Sequence, residues 1–372
     1  MRRIDEWLLN PPRTKLGKSL MNGLAAASRV YTAGVRARSW AYRSGVFRKT
    51  TLNTPVLSIG NITVGGTGKT PLAQFIARHF LDTGRRPVIV SRGYRKEGAT
   101  LAVVSDGKRL LLSPRRSGDE PYLLARTLPG VPVIVSPNRA LAGFVAVSRF
   151  APDVVIMDDA FQHMKLDRNL DIVLVDAVNP FGNEKTLPGG TLREPPPNLA
   201  RADVIVVSRS DQTDRLSELR ERLRSLNPSA PVVLGVHAPD GLLVHPTGDS
   251  LDLTILRNAR VLAVSSIGNP WSFAESVRTL GAEVLDHLRF PNHAKYRHRA
   301  LSRIADAARQ LRCEAIITTE KDAVRLPSHI DCGCPIWVLS IRFRIVEGAA
   351  SFLDLLDALV TRAKTMGMNG QA

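Results

Sequence analysis

At 372 residues the chain exceeds what one hydrophobic core usually fills, and 44% apolar with 23% charged content excludes a disordered chain. Its 51 Lys and Arg against 34 Asp and Glu leave a net charge of +17, which asks for a polyanionic partner: nucleic acid, an anionic membrane surface or a phosphorylated substrate. The cysteines, Cys313, Cys332 and Cys334, exclude an even disulfide framework and suggest a reducing compartment, and the Cys332-Gly333-Cys334 pair falls short of a closed four-ligand zinc site.

Residues 1–50 differ from the rest of the chain. Arg13, Lys15, Lys18, Arg29, Arg36, Arg38, Arg43, Arg48 and Lys49 are interspersed with Trp7, Trp40 and Tyr42. Between them Leu20, Met21, Leu24, Ala27, Tyr31 and Val35 recur at helical spacing. An apolar stripe with basic flanks and interfacial aromatics suits an anionic membrane surface. An amphipathic helix packed on a neighbouring domain would read the same way. MRRIDEWLL lacks the apolar core of a signal peptide, and no run approaches the ~18 apolar residues of a spanning helix.

The next stretch, VLSIGNITVGGTGKTP at 56–71, reads as a short buried strand, a glycine-rich turn and the start of a helix. Gly65, Gly66 and Gly68 are free to take positive φ and turn backbone N–H groups inward as an anion nest. Residues Thr63, Val64, Gly65, Gly66, Thr67, Gly68, Lys69 and Thr70 are therefore expected to cradle nucleotide phosphates. Lys69 would reach the β- and γ-phosphates and the Thr70 hydroxyl would ligate Mg²⁺. The pattern departs from the usual phosphate loop in having Thr63 where a first glycine is expected.

From Val56 onward β-branched runs alternate with helical ones. Strands are expected at Val56–Ile59, Val88–Val90, Val133–Ser136, Val154–Met157, Ile172–Val175 and Val204–Ser208. Such a series implies an α/β fold: a phosphate-loop-type, mostly parallel sheet with helices on both faces. After a charged helix and its end around 217–230 and strand material at Pro231–His237, new strands at Val261–Ser265, Ile316–Thr319 and Ile336–Ser340 indicate a second, smaller α/β domain. The expected division is a basic segment at 1–50, a core domain at 51–229 and a smaller domain at 230–372.

Polar residues cluster where these strands end. Asp158 and Asp159 close the strand at 154–157, the usual place for the acid that holds the ion of a phosphate loop, and equally a place for a helix cap. Asp119 and Glu120, in Gly118-Asp119-Glu120-Pro121, would cap a helix or supply a general base. Arg92 follows the strand at 88–90, and Arg193 and Glu194 lie in the Pro/Gly-rich stretch 187–195; these would grip an anion or form surface ion pairs. His293 alone reads more readily as structural than catalytic. Thr319-Glu320-Lys321-Asp322 lacks the order expected for guanine recognition and would instead shape a nucleotide or substrate loop.

Taken together, GNITVGGTGKTP, SRGY, GDEP, DDAFQH, LPGGTLREP, FPNH and TTEKDAVRL in this order resemble the tetraacyldisaccharide 4′-kinases, the lipid A 4′-kinases of Gram-negative bacteria. The resemblance implies transfer of phosphate from ATP with Mg²⁺ to the 4′-hydroxyl of an acylated disaccharide 1-phosphate, at the cytoplasmic face of the inner membrane. It assigns Asp119 as catalytic base supported by His293, Lys69 as charge neutraliser, and Thr70 with Asp158 or Asp159 as metal ligands. Arg92, Gln162, His163, Arg193 and Glu194 fall at substrate-binding positions. The second domain would close over the site, and the partners would be the lipid and an anionic membrane, with no nucleic acid and no obligate protein. Two departures stand out: Asn292 and Ala294 where the family has an acid and a second histidine, and Ala160 where it has a glycine. A nucleic-acid-dependent phosphate-loop ATPase is the rival reading, and a nucleotide-gated membrane adaptor another.

Overall fold

The computed structural model describes residues 15–94 and 96–368, with side chains from residue 22 to 362 apart from Arg95. Trp7 and Arg13 lie outside the described residues, as do the side chains of Lys15, Lys18, Leu20 and Met21. The chain forms two compact units. One comprises the described residues up to His237 together with those from Phe343 onward, and the other is Ala238–Arg342.

In the first unit the elements are α1 (Lys15–Arg43), β1 (Val56–Asn61), α2 (Lys69–Asp82), β2 (Pro87–Ser91), β3 (Ala102–Asp106), α3 (Pro114–Ser117), α4 (Asp119–Thr127), β4 (Pro132–Val135), α5 (Arg139–Phe150), β5 (Val154–Asp158), β6 (Leu170–Asp176), β7 (Val204–Ser208), α6 (Leu216–Leu226) and β8 (Val232–His245). The strands lie in the order β8-β7-β6-β1-β5-β2-β4-β3. All pair in parallel except β3, which runs antiparallel to β4 at the edge. The chain builds outward from β1 in one direction through β5 and returns on its other side with β6. β1 therefore marks a switch in strand order, and in open α/β sheets ligands bind beyond the carboxyl ends of the strands at such a point. Helices cover both faces because β1, β2, β4, β5 and β7 are buried along their whole length.

The second unit contains β9 (Ser250–Leu251), β10 (Arg260–Ser265), α7 (Pro270–Thr279), β11 (Glu283–Arg289), α8 (His298–Leu311), β12 (Ala315–Thr319), α9 (Glu320–Ala323) and β13 (Ile336–Glu347), the last strand continuing past the unit. Its order is β11-β10-β12-β13, parallel throughout, with β9 antiparallel to the distal part of β8. The strand β11 escaped the sequence reading because Glu283, Asp286, His287 and Arg289 interrupt its apolar residues, as is usual at a sheet edge.

The unit boundary differs from the expected one in two ways. It falls after His237 rather than after 229, because β8 continues across it. The chain also returns: α10 (Ala349–Met368) packs Phe352, Leu356 and Val360 into the first unit's core beside Ile76, Phe80 and Phe343. Period alone could not show which sheet the last helix covers.

The helix α1 also departs from its expected stripe. Ala27 and Tyr31 are exposed, and the packed face runs instead through Leu24, Ser28, Thr32, Val35 and Ser39. Ser28 Oγ donates to Thr186 O at 2.8 Å and accepts from Gly189 N at 2.8 Å, and Thr32 Oγ1 lies 2.7 Å from Thr186 Oγ1. Small polar side chains let the helix approach the 186–190 turn closely, and hydrogen bonds rather than apolar contact fix the pairing. Val30 and Trp40 are left 75% and 65% exposed.

Because Phe352 is fully buried in the first unit's core, Phe352→Ala is expected to destabilise that unit by about 3–5 kcal/mol, read from its denaturant unfolding transition. A cost below ~1 kcal/mol would mean that α10 is not part of the core.

Candidate active site

Register brings the polar residues together. Ile59 of β1 lies opposite Asp158 of β5, and Val90 of β2 opposite Met157, so Ser91 ends beside Asp158. Ser91 Oγ donates to Asp158 Oδ2 at 3.1 Å. Immediately after β1 the chain turns through the glycine-rich loop into α2. Gly65 has φ of 128° and Gly68 of 92°, whereas Gly66, expected to share that conformation, does not. Gly68 caps the helix with no side chain, and a Cβ there would also collide with the His237 ring. Alanine at Gly68 is excluded twice over.

The first half of the loop is strapped rather than open. Thr63 is buried, forms an antiparallel bridge with Leu192 and accepts from Asn61 Nδ2 at 3.3 Å. Val64 N donates to Thr191 O at 2.7 Å. Thr63 and Val64, expected among the phosphate ligands, are thus engaged as the loop's anchor. The threonine in place of glycine has a structural use here. On the other side Ser208 Oγ, at the end of β7, donates to Thr67 O at 2.8 Å. Residues 65–68 remain as the part of the loop whose backbone turns around the helix N-terminus, an arrangement suited to an anion.

Lys69, the first helical residue, donates to Asn61 Oδ1 at 3.2 Å and sits 3.4 Å from Asp159 Oδ1. Arg193 grips the same carboxylate with both contacts of its Nη1, at 2.8 and 3.0 Å. Burial favours the protonated form of Asp159, but Lys69 and Arg193 outweigh it and hold the carboxyl down at about 2. Its neighbour behaves oppositely. Asp158 is 2% exposed, and burial, then the charges of Glu120 and Asp159, push its carboxyl up to about 7. Two adjacent carboxylates therefore sit in opposite electrostatic settings, Asp159 paired with two cations and Asp158 buried beside other acids. The influence of Glu120 on Asp158 also shows that the start of α4, hence the Gly118-Asp119-Glu120 turn, faces this strand end. Gly118 allows the turn with φ of 91°.

Several expected residues have roles within the protein. Gln162 Nε2 donates to Asn61 O at 2.9 Å. Glu194 is 2% exposed, paired with Arg201 at 2.8 Å and accepting from Asn198 at 2.6 Å, contacts that fasten the 194–201 stretch. His163 keeps Nε2 buried without a hydrogen-bond partner among the described residues. Burial, then Arg139, Arg168 and Arg38, lower His163 to about 4, so its ring is neutral at physiological pH. Arg92 is exposed. His293 lies in the second unit, with φ of 59°.

The sequence reading missed Asn61, Ser91 and Arg139. Asn61 tethers Lys69, Thr67 and Thr63 from the last position of a wholly buried strand. An amide there was the available signal, since buried polar groups ask for partners. Arg139, buried at the start of α5, donates to Asp159 O at 3.3 Å and is close enough to Arg92, Asp158 and Arg193 to feel their charges. Nothing in its local sequence separates it from a surface arginine.

A glycine turn at a helix N-terminus with a lysine and an arginine converging on one acid at a strand end is the arrangement of a phosphate-loop phosphotransferase. The family model for tetraacyldisaccharide-1-P 4′-kinase (LpxK) matches residues 20–361, and the chain belongs to this family of kinases. It is 39% identical over 331 residues to the tetraacyldisaccharide 4′-kinase of Syntrophus aciditrophicus, covering 87% of this chain and 88% of that one. With that of Anaeromyxobacter sp. it shares 40% over 349 residues, covering 93% and 94%. A crystal structure of an "apo" form of LpxK from Aquifex aeolicus in complex with ATP superposes with a TM-score of 0.73 at 27% identity, covering 92% of this chain and 99% of that one.

The raised carboxyl of Asp158 has a consequence for stability. The folded chain retains a proton that the unfolded chain has released between pH 3.8 and about 7, so this residue's contribution falls as pH rises through that window. In metal-free buffer, Asp158→Asn is expected to unfold at a higher temperature than the native chain above pH 7. The gain should shrink towards pH 4. A pH-independent difference would contradict the burial of an ionisable group at this position.

Proposed function

We propose that the chain transfers the γ-phosphate of ATP to the 4′-hydroxyl of tetraacyldisaccharide 1-phosphate in lipid A biosynthesis. The supporting observation is the Lys69–Asp159–Arg193 cluster at the mouth of the glycine loop, with Asp158 buried beside it. In this reading backbone N–H groups of residues 65–68 receive the phosphates. Lys69 and Arg193, held in place by Asp159, exchange that carboxylate for phosphate oxygens. The exchange is cheap because charge is conserved: two cations pass from one anion to another in a half-buried setting.

Asp158 and Thr70 suit a hard divalent cation: an acidic oxygen in excess of its hydrogen-bond donors and a buried hydroxyl at the helix start. Among the described residues no three His, Cys, Asp or Glu side chains form a metal cage. Mg²⁺ in phosphate-loop enzymes needs no such cage, because phosphates and water complete its shell. Thr70 and Asp158, with Asp159 alongside, are the residues that would hold Mg²⁺, which would supply charge neutralisation to the phosphates.

Asp119 is the proposed base on the sugar hydroxyl. It begins α4 next to Glu120, whose charge reaches Asp158. His293 is proposed to support that base from the second unit, and Arg92, Arg139 and His163 to line the acceptor side. Asp119→Ala is expected to lower kcat by ~10²–10⁴-fold, measured as labelled phosphate transfer from ATP to the lipid, with nucleotide affinity retained. Full activity in that variant would remove Asp119 from the mechanism.

We further propose that the exposed side of α1 rests on an anionic membrane at the cytoplasmic face. No helix among the described residues is long and apolar enough to cross a bilayer. Val30, Trp40, Val46 and Phe47 are exposed among Arg29, Arg36, Arg43 and Arg48, a combination that favours interfacial binding. Val30→Ser with Trp40→Ser is expected to weaken partition onto anionic vesicles about tenfold, with folding intact, in a flotation assay. Unaltered flotation would assign this face to another role.

A further inference from the structure

The Thr319-Glu320-Lys321-Asp322 segment has no part in the site described so far, yet it holds the most heavily bonded buried carboxylate of the second unit. Asp322 is fully buried. One oxygen accepts from Tyr296 Oη and Arg325 Nη2, each at 2.8 Å. The other accepts from Thr319 Oγ1 at 2.7 Å and Ser266 N at 3.1 Å. Both oxygens are thereby satisfied, which a buried charge requires.

What these partners do next is informative. Arg325 Nη1 donates to Ser266 Oγ and to Ala294 O, both at 3.1 Å. Ser266 Oγ donates to Pro291 O at 2.7 Å and accepts from Ala294 N at 2.8 Å, while Ser266 O accepts from His293 N at 3.2 Å. The 291–296 loop is therefore fastened at Pro291, His293, Ala294 and Tyr296, and each fastening leads back to Asp322 directly or through one residue. His293 sits in the middle of this loop with φ of 59°, a conformation a non-glycine residue holds only when its surroundings impose it.

We infer that Asp322, with Arg325 and Ser266, is the positioning group for His293: it sets the left-handed backbone of the 291–296 loop and so the direction of the imidazole. The inference rests on the proposed role of His293 in phosphate transfer. The loop's conformation is imposed from residues 266 and 319–325 onto backbone atoms of residues 291, 293 and 294. Side chains at 292 and 294 are not the fastening points.

The test is a double-mutant cycle on the full chain with ATP, Mg²⁺ and tetraacyldisaccharide 1-phosphate. Asp322→Asn keeps the shape of the carboxylate and loses its charge, and Tyr296→Phe removes a single hydroxyl and serves if the first variant folds poorly. Each is expected to lower kcat by about 10–100-fold with KM for ATP unchanged, as expected when a reacting group is displaced by about an ångström. Combined with His293→Ala, neither is expected to lower kcat further, because a positioning residue has nothing left to position. Losses that multiply in the double variants, or a rise in KM for ATP in place of the fall in kcat, would overturn the inference while leaving His293 in its role. Full kcat in His293→Ala alone would overturn that role and the inference with it.

Discussion

The ion pair between Lys69 and Asp159, with Arg193 on the same carboxylate, is the contact on which the phosphate site depends. Without an acid there, a lysine at a helix N-terminus and a half-buried arginine would repel each other and the positive end of the helix. With it, a cluster of positive charge is held at the mouth of an anion nest in the absence of ligand. The remainder of the first unit serves to bring these groups to one place. Parallel pairing of β1 with β5 aligns Ile59 with Asp158, and the loop continuing from β1 carries Lys69 back across the strand end. The Thr63–Leu192 bridge and the Val64–Thr191 hydrogen bond bring Arg193 to the opposite side.

Burial then divides labour between neighbouring acids. Asp158 closes a strand with no cation in contact, and Asp159, one residue on and with φ of 50°, swings to the two cations. Arg139 donates to the carbonyl of Asp159, supporting a backbone conformation that costs free energy for a non-glycine residue. The opposite shifts, to about 7 and about 2, follow from this change of direction over one peptide. Environments that push paired titratable groups apart in this way are characteristic of sites that handle charge.

The second unit repeats the principle with different residues. Its parallel strands β10 and β12 end in Ser265-Ser266 and Thr319, and the carboxylate of Asp322 gathers both ends and the 291–296 loop around itself. In each unit the polar groups lie at the carboxyl edge of a parallel sheet, where strand ends leave backbone N–H groups without ladder partners. In the first unit that edge carries the glycine turn with Lys69 and Arg193; in the second it is filled by the protein's own carboxylate.

Local sequence determined the parallel strands of the first unit and the glycine turn, because period and glycine freedom act over a few neighbouring residues. The antiparallel edge strand β3, with two of its five residues buried, was not legible in it. The motif combination also carried the family. Only tertiary structure decided that Thr63 and Val64 anchor the loop, that Glu194 is locked by Arg201, that α1 packs through Ser28 and Thr32 as well as Leu24 and Val35 of its apolar stripe, and that α10 returns to the first unit. It alone brought in Asn61, Ser91 and Arg139. Each of these depends on a partner more than six residues away, and a residue's chemistry shows that it needs a partner without showing which distant strand register will supply one.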